Sequence, residues 1–330
     1  MTVAALRDRL EGSQVAIYLA AVIAGAVIAF AVPGTASWEA SINPALALML
    51  FVTFLQVPLS ELGRAFGQTR FLGALLALNF VVVPLLVAIL IQFAPHDPMI
   101  RLGVLLVLLT PCIDYVVTFA HLGRADAKLL LASTPALLIV QMLLLPVYLR
   151  LFLGADASRL VQAGPFLHAF LWLIAIPLAL AVIVQLWARR SAMGERTSTG
   201  LGLLPVPATA LILLIVIAAV VPQLGQAIGA ALQVTPIYIA FAILAPLLGW
   251  GVSRAAKLDA EAGRAMAFSA ATRNSLVVLP LALAVPGAVP LLPAIIVAQT
   301  LVELVAELIF IRAIPKLGSG TITRSAHSWS

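Results

Sequence analysis

The sequence predicts an all-α integral membrane protein: ten transmembrane helices in two inverted five-helix repeats, with the fourth and ninth helices broken and crossing near the midplane. Three observations carry this. Of the 330 residues, 63% are hydrophobic and 10% charged, against about 25% charged in an ordinary soluble domain, and the mean hydropathy is +1.15. Ten apolar runs recur along the chain, each suited to cross a hydrocarbon core of ~30 Å. The basic residues between them sort strongly to one side.

The runs are Val15–Val32, Pro44–Leu59, Phe71–Phe93, Leu102–Ala120, Leu129–Leu153, Phe166–Trp187, Leu204–Val221, Pro236–Val252, Met266–Val285 and Leu291–Ile311. They are continuously apolar rather than alternating, which argues against a β-barrel. The first follows Arg7 and Arg9 and precedes Pro33-Gly34-Thr35. Its length and the nine later runs favour an uncleaved first helix over a signal peptide. In a ten-span arrangement, fifteen of the 19 Lys and Arg fall on one side, and only Arg101, Arg150 and Arg159 on the other. Arg273 lies inside a run. Such a bias predicts a multi-pass protein of the inner membrane with both termini in the cytoplasm. It also accounts for the isoelectric point near 10.1 without invoking nucleic acid.

Five runs end near Leu153, and five more follow a short external link at Gly154–Gly164. Residues 1–153 and 154–330 are therefore read as two repeats of one membrane domain. An odd number of spans per repeat sets the two in opposite orientations, the arrangement many secondary transporters use for alternating access. The longest polar connection, Ala188–Gly202, is expected to be a short cytoplasmic loop. No phosphate-binding Gly-x-x-x-x-Gly-Lys-Ser/Thr loop is present, so an ion gradient or the solute's own gradient is the expected driving force. The single cysteine excludes an internal disulfide. The acids are too scattered for a membrane-embedded enzyme, and neither an enzymatic activity nor a cofactor is predicted.

Two runs are interrupted by charge at corresponding places. Thr110-Pro111-Cys112-Ile113-Asp114-Tyr115 breaks the fourth, and Thr272-Arg273-Asn274-Ser275 breaks the ninth. Charges inside a bilayer must face one another or a wet cavity, and paired broken helices point to a transport site near the midplane. Asp114 and Arg273 are read as a structural ion pair or as a coupling switch in which Asp114 trades Arg273 for a proton. Cys112, beside a proline that frees backbone carbonyls, is either a soft ligand for a thiophilic solute or a small buried hydrophobe. Gln299, Glu303 and Glu307 share one helical face of the tenth run. Glu303 is the better candidate for proton or sodium coupling, and Glu307 is placed nearer the cytoplasmic end. Thr134 and Gln141 are a candidate matching stripe in the fifth run. Asn79, Gln56, Gln185 and His168 are expected to be interhelical hydrogen-bonding groups, and His121, Arg124 and Asp126 interfacial anchors. Four His and one Cys without close spacing argue against a structural zinc site.

The stretch from Pro111 to Asp126, which includes Leu122-Gly123-Arg124-Ala125-Asp126, resembles the fourth span of the arsenite permeases in the bile acid/arsenite/riboflavin transporter superfamily. Leu48–Val52, Leu78–Pro84 and Ala270–Ser275 are also similar to their counterparts there. The resemblance implies ten spans with panel and core parts, and it matches Cys112 to the cysteine associated with trivalent arsenic. The expected activity is ion-coupled export of arsenite or a related trivalent metalloid, with Thr272, Asn274 and Ser275 donating hydrogen bonds to its hydroxyls.

The chain departs from that branch in one respect. Its ninth run reads Asn274-Ser275-Leu276-Val277 with no acid following, while Arg273 and Asp114 stand where the branch has uncharged residues. Arg273 therefore either occupies the place of a coupling cation or attracts an anion. The alternative reading is accordingly a sodium-coupled symporter of organic anions, with Arg273 on the carboxylate. The expected partners are a small solute, H⁺ or Na⁺, and the lipid bilayer, with no nucleic acid.

Overall fold

The computed structural model describes residues 3–56, 68–113, 115–154, 168, 171–283 and 285–318. All regular structure among them is helical. Residues Val3–Gly12 (α1) and Gln14–Ala31 (α2) lead to Glu39–Leu55 (α3). Thr69–Ala77 (α4) continues through a π-helical turn at Leu78–Val82 into Val83–Leu90 (α5). Pro98–Leu108 (α6) and Val116–Leu122 (α7) are two halves of one broken run, followed by the long Ala127–Leu153 (α8). Then come Ile176–Ala188 (α9), Ala192–Leu201 (α10), Pro205–Val220 (α11) and Ile228–Ala255 (α12). Ala260–Ala271 (α13) and Ser275–Leu283 (α14) form the second broken run, and Leu291–Ala313 (α15) closes the described bundle.

Six of these helical stretches are long and apolar enough to cross a membrane, or seven if α10 and α11, bent by 42°, form one span. α6 and α9 are shorter apolar helices. A helix or a pair of half-helices lies in each of the ten apolar runs, with the boundaries shifted by a few residues. Helix α3 begins at Glu39, ahead of Pro44, so that proline lies inside the helix.

The sequence explains where helices start. Asp97, Asp126, Ser191 and Asp259 each stand just before a helix, and their side chains accept N–H bonds from its first turn, which pairs donors the helix itself leaves open. Ser191 is also why Ala188–Gly202, expected as a loop, contains the helix Ala192–Leu201. Prolines inside the long runs free the carbonyl four residues earlier, and neighbouring hydroxyls take it. Pro84 leaves the Phe80 carbonyl to the Tyr148 hydroxyl. Pro135 leaves the Leu131 carbonyl to Thr134, whose hydroxyl donates to it at 2.8 Å.

The described helices pack as two groups. One contains α1 to α3 and α9 to α11; the other contains α4 to α8 and α12 to α15. Large apolar residues point outward at helical spacing, as Ile139, Leu143, Val147 and Leu151 do on α8 and Ile239, Ile243 and Leu247 on α12. An open apolar groove of about 440 Å³ runs between α12 and α15. Buried polar residues, in contrast, collect where the two broken runs meet. This apolar-out, polar-in arrangement is that of a multi-pass membrane protein.

Glycine sets the closest of these approaches. A Cβ at Gly249 on α12 lies 2.6 Å from the Met266 carbonyl oxygen and 2.8 Å from the Ala267 Cα, whereas one at Gly251 meets nothing within 4 Å. Backbone cannot yield as a flexible side chain can. Gly249→Ala is therefore expected to destabilise by about 1–3 kcal/mol. Gly251→Ala on the same helix is neutral or stabilising by up to about 1 kcal/mol. Thermal unfolding of the two variants in detergent checks this, and equal melting temperatures would refute the close packing of α12 on α13.

Candidate functional site

The two broken runs meet at a short antiparallel bridge of Pro111 with Arg273. The Cys112 N–H donates to the Thr272 carbonyl at 3.1 Å, and the Asn274 N–H to the Thr110 carbonyl at 2.9 Å. These bonds flank the Pro111–Arg273 pair, so the Pro111 C=O and the N–H and C=O of Arg273 point away from the partner segment. Proline fits one side of such a pair because it has no donor to place. Arg273 has one, and its N–H donates to Glu303 Oε2 at 2.7 Å. Its carbonyl accepts the Tyr115 hydroxyl at 3.2 Å. Thus the backbone groups that flank the bridge, and both backbone groups of Arg273, are paired where lipid offers no hydrogen bonds.

Helix α15 ties both segments together. Glu303 accepts from Tyr115 through Oε1, and through Oε2 from the Arg273 N–H and from Gln299 Nε2 at 2.6 Å. One turn later, Glu307 Oε1 accepts the Thr272 hydroxyl at 2.6 Å. Gln299, Glu303 and Glu307 share one face of α15 and are all buried. Tyr115 and Gln299 enter the site as partners of Glu303. A phenolic hydroxyl just beyond the first break was the available sequence signal for Tyr115.

The Arg273 side chain is completely buried. Its Nη2 donates to Asn79 Oδ1 at 2.9 Å, to the Ala270 carbonyl at 2.8 Å and to the Ser269 carbonyl. Nη1 is 3.5 Å from the Leu108 carbonyl, and the guanidinium carbon stands 5.4 Å from the Phe241 ring centroid, within cation–π range. Among the described residues no carboxylate oxygen lies within salt-bridge distance of the guanidinium. The carbonyls belong to the C-terminal ends of α6 and α13, where helix dipoles favour positive charge. Asn79, expected to join helices, does so on the π-helical turn: it accepts from Arg273 and donates to Ser269 Oγ at 3.0 Å.

The remaining sequence candidates are distributed as follows. Cys112 is fully buried at the crossing, and Asp114 lies outside the described residues. The Thr272 hydroxyl bonds Glu307 and the Phe268 carbonyl. Asn274 Oδ1 accepts from the Val277 N–H at 3.3 Å and so caps α14. Asn274 Nδ2 and Ser275 Oγ are buried without partners among the described residues. Gln141 is buried on α8 with both amide atoms unpartnered. Gln185 donates to the Phe54 carbonyl at 3.2 Å, closing the end of α3, and His168 stands 6.0 Å from the Trp172 ring. Arg124 offers its carbonyl to Arg264 Nε at 2.7 Å, while the Asp126 N–H donates to the Glu261 carbonyl at 3.1 Å, joining the two loops at that end of the bundle. A water-sized cavity of about 10 Å³ adjoins the cluster, lined among others by Leu108, Tyr238, Phe241, Gln299 and Glu303.

Residues 43–230, more than half of the chain, match the sodium bile acid symporter family. The chain belongs to this family. The matched residues include the first break and end before the second, so the Thr272–Ser275 segment enters through its pairing with the first. No curated protein matches the chain. Family membership and the apolar-out bundle make the chain a multi-pass membrane transporter that couples a solute to an ion such as sodium.

The network makes Glu303 the anchor of both breaks. Glu303→Leu strands two buried donors, the Arg273 N–H and Gln299 Nε2, each at about 1–3 kcal/mol, and leaves the Tyr115 hydroxyl only the Arg273 carbonyl, while Glu303→Gln keeps an acceptor in the same place. The leucine variant is expected to melt well below the glutamine variant in detergent; indistinguishable melting temperatures would mean that these hydrogen bonds do not hold the crossing.

Proposed function

We propose that this chain is a ten-span secondary transporter that exports arsenite, or a related trivalent metalloid, across the inner membrane by ion-coupled alternating access. In this reading residues 1–153 and 154–330 are inverted repeats and both termini are cytoplasmic. Each packing group draws helices from both halves of the chain, which supports the repeat and the division into parts that move against each other.

The observation that carries the metalloid reading is the state of the two charged or soft groups at the crossing. The Arg273 guanidinium is turned onto the protein's own carbonyls and Asn79, which leaves it poorly placed to receive an anion. Cys112 lies in the bridge itself. As(OH)₃ is neutral at pH 7 and needs a soft nucleophile rather than a basic pocket. A single sulfur gives a weak, exchangeable contact suited to release. Asn274 Nδ2 and Ser275 Oγ, buried without partners, are the groups that donate to the solute's hydroxyls. Thr272 joins them only after leaving Glu307.

Glu303 carries the coupling. It touches both broken segments through Tyr115 and Arg273, so a change in its protonation or ion contacts alters both at once. Asp114 is proposed as a second coupling acid on the first break.

The family's description favours a second reading, sodium-coupled transport of an organic anion. There Arg273 leaves its carbonyl partners to bind a carboxylate, and Cys112 is a packing residue.

Arsenite accumulation in export-deficient bacterial cells separates the two. Cells expressing the wild type are expected to hold less arsenite than empty cells. Cys112→Ser, at matched membrane levels, is expected to lower the export rate about tenfold or more, equivalent to ~1.4 kcal/mol. Accumulation equal to that of empty cells with the wild type itself would end the metalloid reading and make sodium-dependent anion uptake the next assay.

A further inference from the structure

We infer that the guanidinium of Arg273 is a tethered cation occupying a monovalent-cation site built into the crossing, so that this protein works without a dissolved sodium ion there. The inference rests on the transporter reading for its consequence, but not on which solute is carried.

The geometry around Nη2 carries it. That nitrogen has two hydrogens but three oxygen neighbours at 2.9 Å or less: Asn79 Oδ1 and the carbonyls of Ser269 and Ala270. The Leu108 carbonyl adds a fourth oxygen, 3.5 Å from Nη1. With more acceptors than hydrogens at that atom, one N–H is shared, and the oxygens crowd about the charge beyond what its hydrogens require. All four are neutral, and three are backbone carbonyls from the ends of α6 and α13. Hard neutral oxygens of this kind replace the hydration shell of a desolvated alkali cation, and the C-terminal ends of half-helices are where transporters hold Na⁺.

Arg273 stays in place for local reasons. Its backbone is fixed by the Pro111 bridge and by Glu303, so the side chain has only to fold back onto the preceding turn of its own run. Phe241 closes the cage on one side. Asn79 reaches in from the π-helical turn and is steadied by donating to the Leu75 carbonyl at 3.2 Å and to Ser269 Oγ. The charge that an ion would bring and take away in each cycle is thereby made permanent. The coupling ion that cycles with the solute must then bind elsewhere.

The test is thermal unfolding of the purified full chain in detergent, in NaCl, KCl or choline chloride at equal ionic strength. The wild type is expected to melt at one temperature in all three, and so is Arg273→Lys, which keeps a tethered charge. Arg273→Ala is expected to melt lower in choline chloride and to be raised by sodium or potassium by about 3 °C or more. Adding Asn79→Leu, which removes one oxygen of the cage, is expected to reduce that rise. If Arg273→Ala is not recovered, Arg273→Met takes its place, and failure to recover either in NaCl overturns the inference, since the salt should fill the cage. A wild type stabilised by sodium over choline also overturns it, as does an alanine variant indifferent to the alkali cation. Failure of the wild type to export arsenite leaves these melting temperatures untouched, so the two readings fail separately.

Discussion

The bilayer's inability to hydrogen-bond is the constraint on which the described structure depends. A helix satisfies its own backbone, but a broken helix exposes carbonyls at one end and amides at the other. Two such breaks would be prohibitive apart, and together each largely pays for the other. The bonds from Cys112 to Thr272 and from Asn274 to Thr110 replace ladder bonds that both runs lost. Pro111 sits where no donor is needed, and the one extra donor, Arg273 N–H, goes to Glu303. Much of the surrounding polar chemistry follows from completing this accounting.

The same constraint explains why polar side chains gather in one place. Glu303 has an N–H, a hydroxyl and an amide to accept from, and Glu307 has the Thr272 hydroxyl. Two carboxyl groups on one face of an otherwise apolar helix are costly to bury unless partners of this kind await them. Because α15 touches both breaks, a displacement of either segment is felt on one helix.

Much of the helical framework was legible in the sequence. The apolar runs and the polar interruptions of the fourth and ninth have local causes, and local causes can be read along the chain. Ala188–Gly202 shows the limit: polar composition pointed to a loop, while Ser191 capping the following turn makes a helix. Cys112, Thr272, Asn274 and Ser275 were recognisable because a polar group in an apolar run is anomalous in itself. Their individual engagements were not, since Thr272 is bound to Glu307 while Asn274 divides its amide between a helix cap and an unpartnered Nδ2.

By itself, the sequence determined that the chain belongs in a membrane, where its helices run, where two of them break and which face of the last helix is polar. Those properties depend on composition and on neighbours a few residues apart. Only the tertiary structure decided which described groups the Arg273 side chain meets. Its acceptors include Asn79, 194 residues away, and Leu108, 165 residues away, and no periodicity links such positions. A buried guanidinium takes the oxygens that packing brings to it, and among the described residues packing brought the carbonyl ends of two half-helices and the Asn79 amide oxygen.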